Sequence, residues 1–274
     1  CGVMLILIGS ALTYFFSNEG NMIIDEGGRS NYYENFYYKE LAIINTTNEE
    51  YDFYTVFDEP FLFRNNILNH PTIPFNITVV DYFINCKLVN RLFESEENFK
   101  GMAKNFYLQQ LPSEKDYEHN RPGIIYEITS SIDDSKNGIY ILFLGQSIAS
   151  TLSLNDNEFE FKIRPKRIFL PFEIELVDFE KVMHPGTEVA KSFSSEINLV
   201  ENSIPRRVLI KMNEPLRHRG YTFYQASFVE GLDKETTVLA TVKNYGRMFP
   251  YISSIIMSIG LLIHLLLNLP KMLK

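Results

Sequence analysis

An apolar run near the C-terminus is the strongest hydrophobic pattern in the chain. From Met248 to Leu267 there is no acidic or basic residue except His264. About 20 such residues form a helix roughly 30 Å long, enough to cross the hydrocarbon core of a bilayer. The pattern predicts a transmembrane helix over 247–268. Two lysines in the following residues, 269–274, favour a cytoplasmic tail.

A second apolar run opens the sequence. Residues 1–16 are short for a spanning helix, so we interpret them as a transmembrane helix whose beginning lies upstream. A processed lipoprotein beginning at Cys1 is an alternative, and a cleaved signal peptide is another, although no small-residue cleavage pattern follows Phe16. If the C-terminal tail is cytoplasmic, the polar stretch 17–246 lies outside the cytoplasm.

Alternating apolar and polar positions occur in two similar stretches. Residues 74–83 (PFNITVVDYF) match residues 171–180 (PFEIELVDFE). A period of two with one polar face predicts a half-buried strand, and the Asp after the hydrophobic pair predicts a strand end or a bulge. The copies predict two related β units, 17–165 and 166–246, with chance similarity of two strands as the alternative.

Further strands follow the same pattern. Residues 123–129 and 138–144 flank a turn-rich segment and predict a hairpin. Three more strands are predicted over 206–212, 220–228 and 236–242, and the last leads almost directly into the C-terminal helix. The predicted fold class is mainly β: an extracytoplasmic, β-sandwich-like domain of two related units, flanked by transmembrane helices and close to the bilayer.

The two faces of the C-terminal helix differ in composition. One stripe carries small or polar residues: Ser253, Met257, Gly260 and His264. The opposite stripe is aliphatic: Ile256, Ile259, Ile263 and Leu267. Small residues allow close backbone approach and mark helix–helix contacts in lipid. We therefore predict that the first stripe faces another helix and that the second faces lipid.

Composition narrows the functional classes. The formal net charge of −8 argues against a nucleic-acid partner. Two cysteines, Cys1 and Cys86, provide neither a disulfide framework nor a four-cysteine zinc site. The sequence contains no Gly-x-Ser-x-Gly, His-Glu-x-x-His, phosphate-loop, dinucleotide-loop or Cys-x-x-Cys motif. We therefore expect a protein that is not an enzyme.

Several motifs of the C-terminal half resemble the ResB (CcsB) family of cytochrome c biogenesis proteins. They include LPFEIELVDF at 170–179, the HPG sequence at 184–186 and MNEPLRHRGYTFYQASF at 212–228. PYISS at 250–254 and GLLIH at 260–264 continue the series in the same order. The resemblance is strong from about residue 166 onward and loose before that.

The resemblance implies a role in the attachment of haem to apocytochrome c outside the cytoplasm. Family members have several membrane helices, a large extracytoplasmic domain and a Trp-rich partner of the ResC or CcsA type. This chain contains no Trp, so it is not that partner itself. The implied cofactor is haem b in transit, the implied partners are the Trp-rich protein and apocytochrome c, and the implied location is the cell (inner) membrane as a multi-pass protein.

His264 is the strongest candidate for a functional site residue. An ionisable side chain inside a membrane helix indicates function by default, and neutral His is a common ligand of haem iron. We therefore predict that His264 binds haem or lines its path. The alternative is a His hydrogen-bonded to a neighbouring helix or placed in water near the bilayer interface.

One other region carries candidate chemistry. His218 stands among basic residues that can meet haem propionates, lipid headgroups or an acidic partner, with a solvated strand end as the simpler interpretation. For the whole chain, the alternative to haem attachment is a membrane-anchored extracytoplasmic binding or sensor module without a haem role.

Overall fold

The computed structural model describes residues 2–91, 98–187, 190–231 and 234–272. Two α-helices lie near the chain ends: α1 (Gly2–Phe16) and α2 (Phe249–Met272). The first strands between them are β1 (Asn18–Asp25), β2 (Arg29–Asn45), β3 (Phe53–Asp58), β4 (Ile67–Leu68), β5 (Asn76–Phe83), β6 (Cys86–Asn90), β7 (Phe106–Gln110) and β8 (Gly123–Thr129). The remaining strands are β9 (Gly138–Phe143), β10 (Ser150–Leu154), β11 (Asn157–Met183), β12 (Ala190–Glu201), β13 (Ile204–Lys211), β14 (Leu216–His218), β15 (Tyr221–Glu230) and β16 (Glu235–Lys243).

The prediction of a mainly β protein is confirmed, and so are its individual strands. The predicted hairpin is the antiparallel pair β8–β9, and the three C-terminal strands are β13, β15 and β16. These segments carry the alternation and the aromatic and β-branched residues that suit a pleated, half-buried surface.

Both copies of the repeated stretch form strands with the same irregularity. The ladder between β5 and β8 shifts register between Val79 and Asp81, and the ladder between β11 and β12 shifts between Leu176 and Asp178. The residue after the alternating run is thus bulged in each copy, as the conserved spacing of Asp in the two stretches predicts. Common ancestry of the two β units stays a prediction.

The chain divides into two compact units whose bounds differ from the predicted ones. One unit contains residues 1–34 and 167–274, and the other contains residues 35–166. We assigned all of 17–165 to the first unit, but β1 pairs along its full length with β16 and belongs with the C-terminal strands. Pairing between strands so distant in sequence leaves no local signal, so alternation alone does not locate this boundary.

The unit 35–166 has its largest core between two sheets. β2 pairs with β3, and β10 pairs with β11, within one sheet, while the order of the other is β4-β5-β8-β9. Leu41, Ile77, Tyr126, Phe159 and Phe161 from both sheets share a single hydrophobic core.

The unit formed by 1–34 and 167–274 has a sheet that curls around its own core. Along its order, β13-β12-β11-β2-β1-β16-β15-β14, strand β12 is far from β15 and β16. Nevertheless, Ser195 of β12 donates a hydrogen bond to the Gln225 side-chain oxygen at 2.6 Å and lies 2.8 Å from the Thr237 hydroxyl. Gln225 in turn donates to Thr237 at 2.8 Å. The sheet is therefore nearly closed, with this buried polar network inside it.

The C-terminal helix extends further than predicted. α2 begins at Phe249 and continues to Met272, so most of the predicted tail, 269–274, is helical, and residues 273–274 lie outside the described part of the chain. Within the described residues, Phe249–Asn268 is long and apolar enough to cross a membrane, whereas α1 falls short of that length.

Cys86 offers a test of the packing in the unit 35–166. The thiol is 3% exposed and packs with Ala103, Leu108 and Ile141, and this burial raises its pKa to about 11, against an opposing effect of Arg121. Because the thiolate is the reactive form, we expect Cys86 to react with iodoacetamide at pH 8 at least about 100-fold more slowly than an exposed thiol.

Peptide-level mass spectrometry of alkylated full-length protein measures this rate. Ser131→Cys on an exposed turn is the matched control, and it should react fast in the same sample. Denaturant should make both thiols equally reactive. Equal rates in the folded protein would show that Cys86 is accessible.

Candidate functional site

Strand pairing places the two apolar helices side by side. β1 follows α1 almost directly, and β16 precedes α2 by a short turn. The antiparallel register pairs Asn18 with Lys243, so the end of α1 and the start of α2 emerge from adjacent points of the same sheet. The helices consequently run antiparallel from one edge of the β domain.

Glycines allow the two helices to approach closely. Gly2 and Gly9 are the buried residues of α1. A Cβ added to Gly2 would overlap the Met257 side chain, and one added to Gly9 would overlap Phe249. Such contacts replace the hydrophobic effect as the source of helix association in lipid, since lipid tails are as apolar as the side chains.

Polar contacts fix the junction between the helices and the β domain. The Thr13 hydroxyl lies 3.0 Å from the Gly9 carbonyl oxygen and 3.0 Å from the Asn244 side-chain oxygen. Asn244 also accepts a 2.7 Å hydrogen bond from the Gly246 amide. Further along, the fully buried Ser253 hydroxyl donates to the Gly2 carbonyl. The sequence prediction missed Gly2, Gly9 and Thr13, although their i, i+7, i+11 spacing is the signal of a small-residue stripe.

The predicted small-residue stripe of α2 faces α1 over half of its length. Ser253 and Met257 contact Gly2, whereas Gly260 and His264 lie beyond this contact and are exposed. A Cβ added to Gly260 would meet nothing within 4 Å. From Met257 to Leu267, about 10 residues or roughly 15 Å of helix, both stripes are exposed and uncovered by described residues.

His264 is positioned by its own helix. The Asn268 amide nitrogen lies 3.1 Å from Nε2 and 3.3 Å from Nδ1 of the ring, and it donates to the His264 carbonyl at 3.0 Å. Neutral imidazole has one acceptor nitrogen and one N–H, and the Asn268 N–H can donate only to the acceptor nitrogen, the same atom that would bind a metal. In the described residues no group of three or more His, Cys, Asp and Glu side chains is arranged to hold a metal ion. The described side chains therefore do not build a metal site around His264 by themselves.

A cation–aromatic cluster marks the sheet end from which α2 departs. The Lys243 ammonium lies 4.7 Å from the centre of the Tyr221 ring and 5.4 Å from that of Tyr245, and it donates to the Tyr221 hydroxyl at 3.2 Å. This hydrogen bond raises the pKa of Lys243. Aromatic and basic side chains at such a position are typical of the membrane–water interface.

The basic patch around His218 is largely neutralised. His218 lies 3.2 Å from a Glu201 carboxylate oxygen, and Arg219 forms an ion pair with the same carboxylate. The imidazole also packs edge-on against Phe172 at 4.8 Å between ring centres. Arg207 pairs with Glu196 in the same way. The cluster therefore offers less free positive charge than its sequence suggests.

These features define a class of protein: a β-rich domain attached to a close pair of apolar helices, one of them long enough to span a membrane. The model of the ResB-like family matches residues 135–250, and the resemblance predicted from the motifs is thereby confirmed. The match runs from the turn of the β8–β9 hairpin to the first turn of α2, so it contains the Asn244 and Gly246 side of the junction and excludes His264.

One named relative is similar over more of the chain than the family match. The chain is 26% identical over 269 residues to Protein NrfI of Wolinella succinogenes, and the alignment covers 96% of this chain. It covers 26% of NrfI, so the chain spans about a quarter of the length of that relative. These similarities support a role in cytochrome c biogenesis.

Proposed function

We propose that this chain is a non-enzymatic membrane subunit of the machinery that attaches haem to apocytochrome c. The ResB-like match over residues 135–250 carries the proposal, because it covers strands β11 to β16 of the unit from which α2 departs. In this proposal the protein is located in the cell membrane, with its β domain outside the cytoplasm. Helices α1 and α2 are two of several membrane helices of the assembly.

The uncovered part of α2 supplies a surface for a partner. Beyond Met257 the helix presents Gly260 and His264 on one side and aliphatic residues on the other. Small residues at helix contacts favour another helix over lipid. We assign this surface to a Trp-rich, ResC- or CcsA-type membrane protein that handles haem.

His264 binds haem or lines its path in this proposal. It is the one acidic or basic residue of the Phe249–Asn268 span, and within the described residues its ring has a hydrogen-bond partner only in Asn268. Haem b bound there would supply iron able to accept an imidazole nitrogen. The chain's own contribution is to hold one imidazole on α2, with the Asn268 amide as its local partner.

Purification of the tagged full-length protein from native membranes tests the assignment. Support consists of a haem Soret band together with a co-purifying Trp-rich, multi-helix protein. A colourless preparation in which this chain remains alone, even after chemical cross-linking in the membrane, contradicts it and favours the anchored binding module.

The His264→Ala variant tests the haem role of the helix. Loss of a partner of a metal ligand already lowers metal affinity about 10–100-fold, so we expect loss of the ligand to reduce the yield of holocytochrome c at least about tenfold. Haem staining of membrane proteins after denaturing electrophoresis measures the yield, and immunoblotting measures the amount of this chain.

Leu265→Ala is the matched control for that experiment. Leu265 is the next residue of the same helix and is exposed on a different face, so its truncation should leave the holocytochrome yield unchanged. A normal yield with His264→Ala, at equal amounts of protein, would remove His264 from the haem path but leave the subunit assignment intact.

A further inference from the structure

Strand β3 is an unprotected edge in the unit 35–166. Within the described chain it pairs with β2 alone, in an unbroken register from Glu40–Asp58 to Asn45–Phe53. An open edge presents unpaired N–H and C=O groups to any extended chain that comes alongside. Natural proteins usually protect such edges with Lys, Pro or a bulge, and β3 has none of these.

A second edge of the same protein is protected in the usual way. β13 stands at one end of the order of its sheet and contains Pro205, Arg206, Arg207 and Lys211. Proline removes a donor, and charged side chains oppose the stacking of further strands. The contrast indicates that the open edge of β3 is a specific feature of that strand.

The side chains of β3 are unusually apolar for an exposed strand. Phe53 is 60% exposed, Tyr54 48% and Val56 39%. The Tyr51 ring contacts the Phe53 ring edge-on at 5.0 Å and is also exposed. Exposed aromatic residues next to a strand edge are suited to anchor a bound polypeptide, because they bury large area at low entropic cost.

The charge around β3 is acidic. Glu49, Glu50 and Asp52 precede the strand, are exposed, and form no ion pair with any described residue. The nearby cations are already engaged: Lys166 pairs with Asp58, and Arg164 pairs with Glu40 while lying 5.2 Å from the Tyr54 ring centre.

The whole unit 35–166 is acidic as well. Residues 35–166 contain 12 Lys and Arg against 19 Asp and Glu, a formal charge of −7 out of −8 for the chain. An acidic surface attracts a basic partner and repels an acidic one.

From these observations we infer that β3 binds an extended, basic polypeptide segment as an added antiparallel or parallel strand. The main chain of the segment pairs with the open edge, its apolar side chains pack on Tyr54 and Val56, and its basic side chains meet the carboxylates before β3. The inference goes beyond the haem-attachment role and does not depend on it.

Three synthetic peptides test the binding mode on the full-length protein in nanodiscs of neutral lipid. The probe is fluorescein-labelled (Lys-Val)5, and the controls are (Lys-Pro)5, which has the same charge but cannot pair as a strand, and (Glu-Val)5. Binding as an added strand forms several main-chain hydrogen bonds. Fluorescence anisotropy should therefore give (Lys-Val)5 at least about tenfold higher affinity than either control. Added salt should weaken its binding.

Hydrogen–deuterium exchange with the same probe locates the site. We expect amide exchange in Phe53–Asp58 to slow when (Lys-Val)5 is bound, with no change in β13. Equal binding of (Lys-Pro)5, or protection elsewhere but not in β3, overturns the inference. Protection of β3 that grows with protein concentration in the absence of peptide also overturns it, in favour of a second copy of the chain.

Matched substitutions complete the test. Val56→Lys places a protecting positive charge on the exposed face of β3 and should weaken (Lys-Val)5 binding at least about tenfold. Leu209→Lys makes the same change at an exposed aliphatic residue of β13 and should have no effect. Glu49→Gln combined with Glu50→Gln lies outside the strand and should weaken binding without any risk to its fold. Unchanged binding in this last variant and in a folded Val56→Lys variant contradicts the inference.

Discussion

Replacement of Arg164 by Met is expected to lower the free energy of unfolding by about 3–5 kcal/mol. The Arg164 guanidinium donates a 2.7 Å hydrogen bond to Glu40, and the two side chains are only 12% and 5% exposed. Met has a similar volume but leaves the Glu40 carboxylate buried without its cation. An uncompensated buried charge is costly because the protein interior solvates it poorly.

Urea titration of the β circular-dichroism signal, in mild detergent, measures this effect. Lys162→Met is the matched control: Lys162 lies two residues away on β11, pairs with Glu160 at 2.8 Å, and is 49% exposed. Exposed ion pairs contribute about 0–1 kcal/mol, so the control should remain close to the unchanged protein.

The double variant Glu40→Leu with Arg164→Met separates the cost of the unpaired Glu40 carboxylate from any other effect of replacing Arg164. It removes the stranded carboxylate, so it should recover much of the lost stability. If Arg164→Met and Lys162→Met destabilise equally, the buried pair is not the source of the effect.

Replacement of Gly9 by Leu is expected to separate α1 from α2. The added side chain would occupy the space that the Phe249 side chain fills, so one helix must move away. Overpacking of this kind costs about 1–3 kcal/mol, and in lipid no hydrophobic effect restores the contact.

Distances between spin labels at Ser10→Cys and Tyr251→Cys, both exposed, report helix separation in nanodiscs. The distance distribution should lengthen and broaden in Gly9→Leu. It should stay narrow in Gly260→Leu, the matched control, because a side chain at Gly260 has open space around it. Similar broadening in both variants would mean that membrane insertion, not helix contact, responds to the substitutions.

Local sequence patterns determined the elements of this protein. Strands such as β8, β9 and β16, and the span inside α2, follow from alternation and from an uninterrupted apolar run, because both signals lie within a few residues. The repeated stretch predicted a strand end or a bulge at its Asp, and the structure has a bulge next to Asp81 and Asp178. The candidate His264 is likewise visible from sequence alone, since an ionisable residue in an apolar helix needs no partner to be noticed.

Only the tertiary structure decided which elements meet. Thr13 and Asn244 contact each other across 231 residues, and this contact depends on the pairing of β1 with β16. The triangle of Ser195, Gln225 and Thr237 likewise requires a sheet that curls around its core. Any alternating strand can pair with many others at similar local energy, so the choice of partner is made by closure of the sheet and burial of its shared core, which no short stretch of sequence encodes.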